Sequence, residues 1–139
     1  MQLCCKRPPN TLKNVVLTGW MFGQGTYFSN MFSKSLGYTR LNDFDNYACL
    51  LLSEVALGNQ YKLTNADYNI DDNKIKCLGY DSTYGMGNTS LELKYKTKNM
   101  IIPGNIIKTN LNSSLLYDEF IVYNPKQIKQ KYLIIIKNN

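Results

Sequence analysis

One carboxylate falls near the middle of an apolar and aromatic run, Ser114-Leu115-Leu116-Tyr117-Asp118-Glu119-Phe120-Ile121-Val122-Tyr123, which predicts a strand carrying Glu119 inside it. Burying such a charge costs roughly a few kcal/mol unless it is paired or used, so Glu119 is a candidate site residue. A strand glutamate facing solvent is the plain alternative, and the pattern alone leaves the two about even. Upstream, Gly19-Trp20-Met21-Phe22-Gly23-Gln24-Gly25-Thr26-Tyr27-Phe28 sets three glycines among aromatic residues. This suits a turn and short strand lying close to a ligand or to another backbone. Ser33, Lys34, Ser35 and Tyr38 follow within reach of that turn. Here too there are simpler roles: Tyr27 and Phe28 as core aromatics, and Ser35 as a cap on the turn at Gly37.

The elements that must position these groups are mostly strands. Ser29 or Asn30 is expected to cap a short helix from about Met31 to Leu36, ended by a left-handed Gly37. Tyr47 to Leu57 is the longest apolar stretch and predicts a central strand, stopped at Gly58-Asn59 and followed by a second short strand, Gln60-Tyr61-Lys62-Leu63. Glu54 is expected to point outward or to be salt-bridged. Asn65 to Asn73 and Gly79 to Asn88 are rich in polar residues and glycine and predict surface loops bordering a cleft. Alternation in Leu91-Glu92-Leu93-Lys94-Tyr95-Lys96 predicts an exposed edge strand, Pro103-Gly104-Asn105 a turn, and Lys131 to Lys137 a last strand. Residues 1–17 read as a leader or the remnant of a preceding segment, with the compact part over 18–139.

At 139 residues the chain holds one core. Its formal charge of +6 is spread over separated lysines with no arginine cluster, so it favours anionic partners only weakly. A nucleotide and a nucleic acid both stay open as ligands. Cys4, Cys5, Cys49 and Cys77 form neither a disulfide framework nor a metal-binding spacing, and histidine is absent, so no metal is expected. Cys49 is expected as a buried thiol in a reducing compartment. No run of apolar residues reaches the eighteen or so needed for a spanning helix, and Met1 to Pro9 lacks the apolar core of a signal peptide, which predicts a soluble intracellular protein with no membrane partner.

Three separated segments together resemble the C-terminal half of the catalytic domain of poly(ADP-ribose) polymerases. They are Gly23-Gln24-Gly25-Thr26-Tyr27-Phe28 with Ser33-Lys34-Ser35 and Tyr38; Glu54-Val55-Ala56-Leu57-Gly58-Asn59; and Leu115 to Tyr123. The resemblance runs from about Trp20 to Ile136 and includes Cys77-Leu78-Gly79-Tyr80, similar to the family's Gly-Leu-Gly segment. It implies an α+β fold, a mostly antiparallel split β-sheet of the ADP-ribosyltransferase type with few short helices. It also implies NAD+ as substrate, with release of nicotinamide and transfer of ADP-ribose to a protein acceptor or a growing chain. By this resemblance Glu119 is the catalytic glutamate and Tyr27 the tyrosine of the family's His-Tyr-Glu triad. Ser35 is the hydroxyl that bonds the nicotinamide carboxamide, Tyr38 the ring that stacks on nicotinamide, and Lys34 a residue that holds the glutamate or assists the acceptor. The chemistry is consistent with these roles. Breaking the bond to nicotinamide builds positive charge on the ribose, which a fixed carboxylate stabilises.

The chain departs from the family pattern in having no histidine, and hence no His-Gly-Ser segment upstream of the glycine-rich turn. Losing those ribose and carboxamide contacts is expected to weaken NAD+ binding by roughly 2 to 5 kcal/mol. Gln24 stands where the family often has lysine, and Asn30 where aspartate is common. The sequence is therefore expected to be a C-terminal fragment of a polymerase-like transferase, an incomplete sheet with exposed edges. The alternatives are a catalytically inactive binding module and a nucleic-acid-associated protein. Relatives suggest a nuclear or cytoplasmic location, and DNA contact through a separate region of a longer chain.

Overall fold

Alternation decides which way the strands face. Along Tyr47–Val55, Ala48 and Leu50 are buried while Tyr47 and Cys49 are exposed, the period-2 signature of a pleated strand with one covered face. Cys49 is therefore an outward thiol, not the buried one expected, because it shares parity with Tyr47 and not with Ala48 and Leu50. The computed structural model describes residues 2–5, 20–39, 47–96 and 101–137. Its strands are β1 (Gln2–Cys5), β2 (Thr26–Ser29), β3 (Tyr47–Val55), β4 (Gln60–Leu63), β5 (Ser82–Gly85), β6 (Thr89–Lys96), β7 (Ile101–Lys108), β8 (Glu119–Val122) and β9 (Ile128–Lys137). The helices are α1 (Phe32–Leu36) and α2 (Asp72–Cys77), with a 3-10 turn at Pro125–Gln127. The fold is α+β, with a seven-stranded sheet in the order β4-β5-β8-β2-β1-β3-β9 and a separate β6-β7 ribbon. All pairings are antiparallel except β4 with β5.

Gln2–Cys5, within the residues 1–17 read as a leader or the remnant of a preceding segment, forms β1 between β2 and β3; residues 6–17 lie outside the described residues. Several other expectations are corrected by this architecture. β3 is next to the edge and not central, because β9 is the last strand beyond it. The Gly79 to Asn88 segment is not all surface loop: it contains β5, whose small Ser82 and Thr83 are fully buried between β4 and β8. Their hydroxyls are matched inside the sheet, Ser82 Oγ donating to the Leu57 carbonyl and Thr83 Oγ1 bonding the Tyr123 hydroxyl. The end of the Asn65 to Asn73 segment enters α2, capped by Asp71, whose carboxylate accepts from the Lys74 N–H.

Pro103 and Gly104 lie within β7 and do not form a turn. The β6-β7 ribbon shifts register between Leu91 and Leu93 and between Leu93 and Tyr95, an irregularity that lets a proline sit in a ladder. Gly37 is right-handed, with φ −61°, and Met31 at the start of α1 has no side-chain cap of its own; its N–H instead donates to Ser29 Oγ. Glu54 is exposed and ion-paired with Lys131 at 2.9 Å, as expected.

The core lies on both faces of β8. Phe22, Leu115 and Ile121 cluster on one side, while Phe28, Phe120 and Val122 cluster on the other, with Tyr84 stacked on Phe120. At the far end β9 leaves Leu133 and Ile135 largely exposed on the edge strand.

Candidate functional site

The glycine-rich turn is held by close approach. Gly23 has φ +73°, and a Cβ there would come within 1.7 Å of the Ile70 carbonyl oxygen, so only glycine fits. A Cβ on Gly25 would meet Ile121 Cγ2 at 2.4 Å, so the turn is pressed directly onto β8. Tyr27 braces it: its hydroxyl donates to the Gly23 carbonyl at 2.8 Å and accepts from the Phe22 N–H at 2.9 Å. The hydroxyl is thus committed to the backbone of its own turn, and the partly buried side chain packs against the Phe22, Leu115 and Ile121 cluster. Burial drives the Tyr27 phenol well above its ordinary range, opposed by the bond from Phe22 and reinforced by Tyr123, Glu119 and Tyr38.

The register brings Tyr27 to Glu119. β2 pairs antiparallel with β8, Tyr27 opposite Ile121 and Phe28 opposite Phe120, so Tyr27 and Glu119 lie on one face and Phe28 and Phe120 on the other. Glu119 is the first residue of β8 and not its middle, as expected from sequence. Before it, the Asn88 and Thr89 N–H groups donate to the Leu115 and Leu116 carbonyls, the Leu115 N–H donates to Ser113 Oγ, and Tyr117 makes only an isolated parallel bridge with Thr89.

Glu119 is 8% exposed, and its Oε1 lies 2.7 Å from Lys34 Nζ. The same ammonium donates to the Tyr117 carbonyl at 3.1 Å, so α1 is tied to the start of β8 by two bonds from one side chain. Ser35, next to Lys34 in α1, is buried, and its carbonyl accepts from the Tyr38 N–H at 3.2 Å. Tyr38 itself is 60% exposed. The structure therefore joins Lys34 and Glu119 directly, puts Tyr27 on the same face of the sheet as Glu119, buries Ser35 next to Lys34 in α1, and leaves Tyr38 largely exposed just beyond the helix.

Sequence reasoning passed over Asp118. It is 1% exposed and accepts from the Gly87 N–H, the Tyr84 hydroxyl and Ser90 Oγ. The available signal was two consecutive carboxylates at the entry of an apolar strand, since alternation must send them to opposite faces. Among the described residues, no three His, Cys, Asp or Glu side chains converge as metal ligands, and no helix is long and apolar enough to cross a membrane.

The chain is similar to known proteins over nearly its whole length. The poly(ADP-ribose) polymerase catalytic domain family matches residues 10–138. Poly [ADP-ribose] polymerase 2 of Arabidopsis thaliana is 41% identical over 128 residues, covering 88% of this chain and 20% of that protein. Poly [ADP-ribose] polymerase 1 of Gallus gallus is 41% identical over 127 residues, covering 88% and 12%. The Drosophila melanogaster poly [ADP-ribose] polymerase is 38% identical over 120 residues, covering 84% and 12%. The chain thus spans a fifth or less of the length of these relatives. With the glycine-rich turn, α1 and β8 all inside the matched span, the chain belongs to the poly(ADP-ribose) polymerase catalytic domain family.

Proposed function

We propose that this chain works in NAD+-dependent ADP-ribosyl transfer to a protein acceptor or a growing ADP-ribose chain, with release of nicotinamide. The single observation carrying the proposal is the buried Glu119 carboxylate, held at 2.7 Å by Lys34 on the face of the sheet that bears Tyr27. In the reaction the bond between the ribose C1′ and the nicotinamide nitrogen breaks, and nicotinamide leaves with the bonding electrons. The acceptor then forms its bond to C1′ and gives up a proton. Glu119 supplies negative charge where the ribose becomes cationic and accepts from the ribose or acceptor hydroxyl. Lys34 holds that carboxylate in place through the ion pair at 2.7 Å. Ser35 bonds the carboxamide, and the exposed Tyr38 ring stacks on nicotinamide.

The test is automodification with labelled NAD+ in the wild-type chain and in Glu119→Gln. Label in the wild type that falls at least a hundredfold in the variant supports the transferase; equal label in both refutes the role of Glu119. A second reading is favoured by the formal charge of +6 carried on separated lysines, which suits an anionic partner. On that reading the chain is an inactive module that binds nucleic acid through its lysines. Salt-steep DNA binding without any turnover is the result that selects it. A nuclear or cytoplasmic location, and DNA contact through another region of a longer chain, are parts of the same proposal.

A further inference from the structure

Asp118 and Glu119 are neighbours in sequence and point to opposite faces of β8. On the face away from Lys34, Asp118 Oδ1 accepts from the Gly87 N–H at 2.8 Å, and Oδ2 accepts from the Tyr84 hydroxyl at 3.0 Å and from Ser90 Oγ. A Cβ on Gly87 would come within 2.4 Å of the Tyr117 carbonyl carbon, so glycine alone lets that N–H reach the carboxylate. The Asp118 carbonyl in turn accepts from Ser29 Oγ at 3.3 Å, and Ser29 Oγ also receives the Met31 N–H that opens α1. Residues 117–119 are therefore gripped from both sides, by Lys34 of α1 on one face and by the β5-β6 segment through Asp118 on the other. Burial, reinforced by the Asp118 charge, pushes the Tyr84 phenol up to about 12, so it remains a donor.

Core packing alone does not call for a charge here. An anion with three converging donors holds a backbone segment in one place far more tightly than an apolar side chain of the same size. We propose that Asp118 is a positioning residue for Glu119, locking the entry of β8 so that Glu119 and Lys34 stay paired on the Tyr27 face. The consequence for catalysis rests on the transferase function proposed above; the effect on the ion pair does not.

Lys34 reports the pair without any need for turnover. Acetic anhydride labelling, resolved residue by residue by mass spectrometry, is slow at a lysine that is 11% exposed and ion-paired. Asp118→Ala is expected to raise the Lys34 labelling rate about tenfold while Lys74, paired with Asp67, stays unchanged. Asp118→Asn retains an acceptor for the Gly87 N–H, and the two hydroxyls can rotate to meet its amide, so it is expected to restore most of the slow rate. If Asp118→Ala does not fold, Ser90→Ala removes one donor only and is expected to give a rise of about threefold. In turnover, Asp118→Ala and Ser90→Ala lower kcat with KM for NAD+ unchanged, and Asp118→Asn restores most of kcat. An unchanged Lys34 rate, or a rise shared equally by Lys74, overturns the proposal and leaves Asp118 a general stabiliser. Absence of turnover in every form counts against the transferase alone, since the labelling result still stands.

Discussion

Replacing Lys34 with methionine takes the partner from a carboxylate that has nowhere to go. The two side chains are 11% and 10% exposed with 2.7 Å between their charged atoms, so water screens them little. At an effective dielectric of about 20 the attraction between unit charges 4 Å apart is about 4 kcal/mol. In the intact pair, desolvation of both ions offsets most of that gain, and the pair as a whole adds little net stability. Lys34→Met keeps the desolvation of Glu119, loses the attraction and strips the donor from the Tyr117 carbonyl. The expected cost is about 3 kcal/mol. With a urea slope of about 1.5 kcal/mol/M for a domain of this size, the unfolding midpoint falls by about 2 M. Adding Glu119→Gln removes the stranded charge, so the double variant is expected to be more stable than Lys34→Met alone, with a coupling of about 2 kcal/mol. Urea unfolding of the four forms at pH 7 and at low and high salt measures this, and the coupling is expected to change little with salt. A midpoint shift under about 0.3 M for Lys34→Met, or strictly additive variants, would refute the idea of a desolvated functional pair.

Two further outcomes are expected. Gly23→Ala forces a Cβ to within 1.7 Å of the Ile70 oxygen at φ +73°, and is expected to destabilise by about 3 kcal/mol or more in the same urea assay; a loss below about 1 kcal/mol would mean that the turn can open without cost. At high pH, burial pushes Tyr84 and Tyr123 up to about 12 and Tyr27 higher still, whereas an unfolded phenol ionises near 10. The folded state then holds more protons than the unfolded one between these values. The associated stability is complete below pH 10 and declines as pH rises towards 12. Absorbance at 295 nm followed together with circular dichroism checks this: these tyrosines should ionise only as the fold is lost, and smooth titration of all 11 tyrosines near pH 10 with an intact spectrum would contradict it.

What the sequence determined by itself was local. Glycines among aromatic residues marked β2, the longest apolar stretch β3 with short β4 after Gly58-Asn59, alternation β6, an apolar and aromatic run β8 and β-branched residues β9, while a cap at Ser29 or Asn30 and Gly37 bounded α1, because these patterns act within a few residues. The order of Gly23-Gln24-Gly25-Thr26-Tyr27, Lys34 and Glu119 also carried the family resemblance. Tertiary structure decided what no local pattern encodes. Ser82 and Thr83 look like loop residues, and only the neighbouring β4 and β8 bury them as a strand. Cys49 turned outward because the parity of β3 is set by which face the core covers. Glu119 moved to the start of β8 because Asn88, Thr89 and Ser113 take up backbone groups of Leu115 and Leu116 ahead of it. Asp118 acquired its three donors from positions 28 to 34 residues away, and Glu119 its lysine from 85 positions away (119 − 34). Distances of that kind exist only once the sheet has closed, since chain separation says nothing about which faces will meet.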